Sequence, residues 1–291
     1  MSHWDPALRS VQEAANGIYG PRSFIGYLQE TGQDSSRYRT ATELSVDTRP
    51  ELSSRLDDND TMVLQLGQAT DGPGTQFALV HVPDHLDDFF IDEREFPPVD
   101  RVILDYTESG DDALALGQEV QDMLDVYRSL PTFSETGFVN FALSTGLFPR
   151  ALGLDSDRIG TAPTTVASTF EFEFEPHPNR PTVLHHNDGQ IEIDALVMTR
   201  RNGERILLII EAKCGGRHEL AKHKLGYPAL AAETSLSLDV DRIVPVYLRA
   251  RPVKDGVRYS IYECSGLSMD EERPCLADLH VIDDSHYEVR L

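Results

Sequence analysis

The stretch QIEIDALVMTRRNGERILLIIEAK, Gln190 to Lys213, constrains this chain more than any other. Two apolar runs flank Asn202-Gly203. Such a pair between such runs is a strong hairpin signal, because a two-residue type I′ turn needs positive φ at both positions. With those residues as the turn, Arg201 faces Glu204 and every later pairing follows. Asp194 falls opposite Glu211, and Lys213, two residues further on, shares their face. The same face carries Glu192 opposite Lys213 and, nearer the turn, Leu196, Met198, Leu207 and Ile209. The other face, with Ile191, Ile193, Ala195, Val197 and their partners, is wholly apolar and must be buried. Like charges directly opposite one another destabilise a strand pair. A sheet covered on both sides, with acidic residues at one end only, therefore reads as a cleft. Two carboxylates beside a lysine form a divalent-cation site with an attached general acid/base or electrostatic group.

An Asp on one strand and Glu-Ala-Lys ending the next resembles the PD-(D/E)xK nuclease superfamily, which includes restriction endonucleases, junction resolvases and RecB-type exonucleases. The resemblance covers Glu119 to Cys264. It implies an α/β fold with a restriction-endonuclease-like core, α-β-β-β-α-β, whose central mixed sheet is flanked by helices. It also implies a DNA endonuclease that uses Mg²⁺, with Mn²⁺ as a substitute. In that reading Asp194, Glu211 and the carbonyl of Ala212 hold the metal, and Lys213 orients the attacking water. Ile193 stands where a Pro often precedes the first Asp.

The flanks fit the same order. TFEFEFE, Thr169 to Glu175, alternates with period two and reads as a strand, its glutamates forming a solvated face. After Gly215-Gly216 a helix is expected, with a break near Pro228. Two further strands, Arg242 to Ala250 and Val257 to Cys264, are joined by a turn at Asp255-Gly256. In the helix after the third strand, relatives in the superfamily carry a Gln or Lys facing the site. Lys224 matches one such alignment and His223, four residues before Tyr227, another. A fourth acidic residue usually comes from a helix before the first strand. Two helical segments stand there, Asp111 to Leu130 and Ser134 to Phe148, and offer Glu119 and Glu135. Glu135 lies closer in sequence to the core strands, behind the N-cap Ser134. His185-His186 and Asp188 read as a loop bordering the cleft.

The formal charge is −23 over 291 residues, against expectation for a DNA-binding protein. The acid is unevenly spread. Arg200 to Lys224 holds seven basic groups against three acidic, and Arg242 to Arg258 five against one. Arg200, Arg201, Arg217 and Lys222 are the expected DNA contacts. Only four lysines occur, three of them Lys213, Lys222 and Lys224. An acidic, Asp-rich, lysine-poor chain resembles proteins of salt-loving archaea. In molar salt the Debye length is about 3 Å, so an acidic surface repels DNA little.

Residues 1–105 read as an N-terminal α+β module of unstated role and 106–291 as the nuclease-like domain. In the module, a helix is expected from an Asp5 N-cap, another across Tyr19 to Glu30, and a hairpin around Asp71 to Gly74. DDND (Asp57 to Asp60) and DEREFPPVD (Asp92 to Asp100) read as solvated loops. Three cysteines without Cys-x-x-Cys spacing argue against a zinc ribbon or a disulfide framework. No phosphate-binding Gly-rich loop or Gly-x-Ser-x-Gly motif is present. Without a signal region or a long apolar run, a cytoplasmic protein that does not enter membranes is expected. Double-strand cutting calls for a homodimer. A repair nuclease or junction resolvase, and a non-catalytic nucleic-acid-binding or assembly protein that keeps the fold, are the alternatives.

Overall fold

The computed structural model describes residues 2–98, 100–130, 133–156, 164–235, 239–267 and 273–291. The N-terminal part runs α1 (Asp5–Glu13), β1 (Ile18–Ser23), α2 (Phe24–Glu30), α3 (Thr40–Leu44), α4 (Ser54–Asp57), β2 (Thr61–Gln68), β3 (Thr75–His81) and β4 (Phe90–Asp92). Then come β5 (Val102–Asp105), α5 (Asp111–Leu114), α6 (Gln118–Ser129), α7 (Glu135–Ser144) and α8 (Leu147–Ala151). The rest runs β6 (Thr164–Phe174), β7 (Leu184–Arg201), β8 (Glu204–Cys214), β9 (Glu219–Ala221), α9 (His223–Ser235), β10 (Arg242–Val253), β11 (Gly256–Cys264) and β12 (Val281–Arg290). The fold is mixed α/β.

Its centre is the β7–β8 hairpin. Asn202 and Gly203 both have positive φ. Asp155 accepts hydrogen bonds from both of their backbone N–H groups, at 2.7 and 2.8 Å. The register follows from that turn, with Arg201 paired to Glu204 and Ala195 to Ile210. β8 pairs in parallel with β10 across the α9 crossover. β10, β11 and β12 continue antiparallel, and β5 closes the far edge in parallel with β12. Both faces are covered, because α7 and α8 bury Phe138, Phe141 and Phe148 on one and α9 buries Leu225 and Leu230 on the other. A sheet covered twice must be apolar on both faces. That is why β8 reads as an unbroken apolar run rather than an alternating one.

β7 is eighteen residues long and has two partners on one edge. β6 lies along its other edge from Leu184 to Leu196. Opposite β6, β8 pairs with residues 195–201 and β2 touches β7 in parallel only at Asn187. Between those two contacts no strand among the described residues pairs with that edge of β7. Here the expected common face for Ile191, Ile193, Ala195 and Val197 is corrected. Ile191 and Ile193 pack in the core shared with the N-terminal part, whereas Ala195 and Val197 pack under α7. The β6–β7 register shifts between Ile193 and Leu196, the β7–β8 ladder ends at Ala195, and Glu192 stays exposed instead of pairing with Lys213.

Several local expectations are also corrected. Asp5 is the first residue of α1, behind Trp4, and its carboxylate accepts from Ser2 N–H. The expected helix over Tyr19 to Glu30 is strand up to Ser23, whose hydroxyl then caps α2 by accepting from Gly26 N–H. The segment from Asp111 to Leu130 is two helices split at Gly117. α9 begins only at His223 and runs through Pro228 without a break, while Glu219–Ala221 pairs with β4. In DEREFPPVD, Glu93 is not solvated but buried among Tyr247, Arg249 and Arg251.

Residues before 105 share one core with those after it. Trp4, Phe77 and Leu64 belong to the same buried cluster as Phe172, Tyr227 and Tyr247. The junction with β7 needs glycine. Gly67 has φ +80°, and a Cβ there would meet Asn187 O at 2.1 Å and Gly189 Cα at 2.8 Å. Gly67→Ala should therefore destabilise the protein by at least about 2 kcal/mol. Gly203→Ala, also at positive φ but facing open space, should cost about 1 kcal/mol. Urea denaturation of the two variants checks this, and equal losses would contradict the packing argument.

Candidate active site at the split edge of the hairpin

The open edge of β7 lines a cleft of about 500 Å³. Asp194 and Glu211 stand at its floor, one position beyond the last ladder pair, Ala195 with Ile210. There Asp194 Oδ2 accepts the N–H of Ala212 at 2.9 Å. The residue after Glu211 thus fixes the carboxylate of Asp194. Glu211 is only 7 % exposed, and Lys213 Nζ lies 2.8 Å from its Oε1. Lys213 Nζ is also 3.4 Å from Asp47 Oδ2, and Lys224 Nζ is 2.6 Å from Asp47 Oδ1. Lys224 further donates to Ser45 Oγ. Glu135, at the start of α7, lines the cleft and accepts the N–H of Cys214 at 3.1 Å.

The structure thus brings together Asp194, Glu211, Lys213, Glu135 and Lys224. Glu119 is not with them, because it lies exposed on α6. The residues read as DNA contacts are dispersed. Arg201 is held bidentate by Glu263, with oxygens at 2.5 and 2.7 Å. Lys222 is buried and donates to Ala277 O at 2.6 Å. Arg217 pairs with Glu51 and Thr48. Arg200 sits at the hairpin tip, about 20 Å along β7 from Asp194, donating to Gly203 O. Arg201 and Lys222 are thus turned inward onto protein partners rather than standing as the exposed cations expected of DNA contacts. Two arginines of the basic run on β10, Arg249 and Arg251, serve the buried Glu93, whereas Arg242 stays half exposed beside Glu204.

His186 is not in a loop. It lies buried in β7 and stacks on Phe172 with centroids 4.6 Å apart. Burial lowers its pKa to about 4, and that of His223 to about 3. Both rings line the cleft as neutral groups. Asp47, Ser45 and Gln65 also line it and were missed in the sequence. A lone Asp in a polar stretch carries no local signal for a contact with residues more than 160 positions away.

Five carboxylates (Asp47, Glu135, Glu192, Asp194 and Glu211) face two lysines in this cleft. That donor set is all oxygen and suits a hard divalent cation. Burial drives Glu211 up to about 7; Lys213 beside it pulls the other way and Asp194 adds to the rise. Burial also works against the charge on Lys213, but Glu211, Asp47 and Glu135 outweigh it and hold the ammonium well above its ordinary value. A divalent cation held between Asp194 and Glu211 would add positive charge beside this carboxylate pair.

A second cluster, His85, Asp88 and His177, brings three ligand atoms within 4.8 Å of one another. Its hydrogen bonds give it another role. Asn179 N–H donates to His177 Nδ1 at 3.0 Å, so Nε2 carries the proton and donates to Asp88 at 3.1 Å. That tautomer leaves no lone pair on Nε2 for a metal. A larger hollow of about 650 Å³ lies between α6 and the β10–β11 turn, where Glu108 and Asp255 are matched by Arg128 and Lys254.

The raised pKa of Glu211 has a definite sign. Between its ordinary 4.5 and about 7, the folded chain holds a proton that the unfolded chain has lost. Stability from this group is full below pH 4.5 and is lost as pH rises through 7. In metal-free buffer, Glu211→Gln should gain several degrees in Tm relative to wild type on going from pH 5 to pH 8. Mg²⁺ at pH 8 should stabilise wild type and not the variant. Parallel Tm-against-pH curves for the two proteins would refute the assignment.

No curated protein and no solved structure matches the chain. The family described as a domain of unknown function (DUF6997) matches residues 107–271. The match takes in Glu135, Asp194, Glu211, Lys213 and Lys224 and stops short of Asp47. It covers more than half of the chain, which therefore belongs to that family.

Proposed function

We propose that this protein is a Mg²⁺-dependent DNA endonuclease of the restriction-endonuclease-like kind. The observation that carries the reading is the placement of Asp194, Glu211 and Lys213 where β7 parts from β8. The succession α7, β6, β7, β8, α9, β10, interrupted only by the short α8 and β9, supports it, as does Glu135 reaching the same cleft from α7.

Asp194, Glu211 and the Ala212 carbonyl would hold the cation, which when bound polarises the phosphate and lowers the pKa of its water. Lys213 offers an ammonium beside that position to neutralise charge developing on the phosphate. Lys224 provides a second cation at the rim, 2.6 Å from Asp47. His186 and His223, held neutral by burial, add no charge to repel the cation. Cutting both strands takes two such sites, so a homodimer belongs to the reading. The acidic balance of the cleft and of the whole chain calls for high salt, where long-range repulsion of DNA is screened. Among the described residues no helix is long and apolar enough to cross a membrane.

Plasmid and short duplex DNA incubated in molar KCl with Mg²⁺ or Mn²⁺ should be cut, and EDTA should stop it. Glu211→Gln should lose at least about 1000-fold in rate while binding DNA as well as wild type or better. Lys213→Ala should lose cleavage too. A Glu211→Gln protein that cuts at the wild-type rate would overturn the reading.

A further inference from the structure

Asp47 lies far in sequence from every other charged residue of the cleft and outside the family match. It is nevertheless built into place. Leu44 and Val46 beside it are buried. Its carbonyl accepts the N–H of Ala221 at 2.7 Å, and its own N–H donates to Glu51 Oε2 at 2.9 Å. Glu51 and Thr48 in turn hold Arg217. The backbone of this segment is thereby pinned to the strand that leads into α9.

From that mount the two carboxylate oxygens of Asp47 reach different elements. Oδ2 faces Lys213 at the end of β8, and Oδ1 faces Lys224 in the first turn of α9. An isolated ion pair at a surface contributes little. A carboxylate that bridges two ammonium groups from two elements, on an anchored backbone, fixes where both point. Lys213 has a second partner in Glu211, but Glu211 is also the proposed cation ligand. Once its oxygens turn to a cation, Asp47 is the carboxylate left to hold Lys213.

Resting on the nuclease reading, we propose that Asp47 is a positioning residue of the site: it holds Lys213 and Lys224 toward the phosphate, and the site is incomplete without the N-terminal part of the chain. Asp47 touches neither phosphate nor water. Its effect runs through the two lysines, so its loss lowers the rate of the chemical step rather than the affinity for DNA.

Two readouts on the full-length chain test this. The first needs no activity. The four lysines are acylated in metal-free buffer with an N-hydroxysuccinimide ester and followed by peptide mass spectrometry. In Asp47→Asn, Lys213 and Lys224 should label several-fold faster than in wild type, while Lys222 and Lys254 keep their rates and report an intact fold. The second is cleavage. In Asp47→Asn, kcat should fall at least about tenfold with KM within about twofold of wild type, and Asp47→Glu should recover part of kcat. Unchanged labelling of Lys213 and Lys224 overturns the proposal. So does a kcat that is unchanged, or that rises as KM falls, because Asp47 would then be competing with phosphate for the lysines. A wild-type protein that cuts no DNA refutes the nuclease reading, and the labelling still decides whether Asp47 holds the two lysines.

Discussion

The cleft is organised around a carboxylate that the fold has taken out of water. Glu211 ends an apolar strand, is almost fully buried and has Asp194 beside it. Burying a charged carboxylate is costly unless a partner compensates it. Here the compensation is Lys213, two residues along the same strand. The lysine is held in turn by Asp47, which also takes Lys224. The chain of contacts Asp194, Glu211, Lys213, Asp47, Lys224 therefore joins β7, β8, the segment after α3 and the start of α9. Removing the charge of Lys213 would leave the buried Glu211 without its ion-pair partner.

What makes such an arrangement possible is the way β7 changes partners. A strand whose edge is continuously paired leaves no room for a ligand among its backbone groups. β7 gives up β8 after Ala195 and does not meet β2 until Asn187. The opening between them is where both carboxylates stand. At the lower contact Gly67 and Gly189 approach so closely that side chains on either would collide. The shape of the site thus depends on two glycines that carry no chemistry, as well as on the charged residues that do.

The hairpin was legible in the sequence because its determinants are local. Asn202-Gly203 sets the turn, the apolar pattern sets the faces, and the register carries Asp194 to Glu211 without further information. The capped helix behind Ser134 was legible for the same reason, and with it the position of Glu135. Where contacts are long-range, local pattern misled. Arg201 and Lys222 looked like free cations, and only the fold shows Glu263 and the Ala277 carbonyl waiting for them. Glu93 sits in an acidic, proline-bearing stretch that reads as loop, yet two arginines of β10 enclose it. The helical reading of Glu219–Ala221 lost to pairing with β4, a partner more than a hundred residues away. Asp47 belongs to the same class.

The central claim is that Asp194 and Glu211 form the cation site, and crystals soaked in Mn²⁺ and measured at the manganese absorption edge test it most directly. The account predicts an anomalous peak between the Asp194 and Glu211 carboxylates and none at His85, Asp88 and His177. A peak at the histidine cluster alone, or a cleft that stays empty at saturating Mn²⁺, would contradict it.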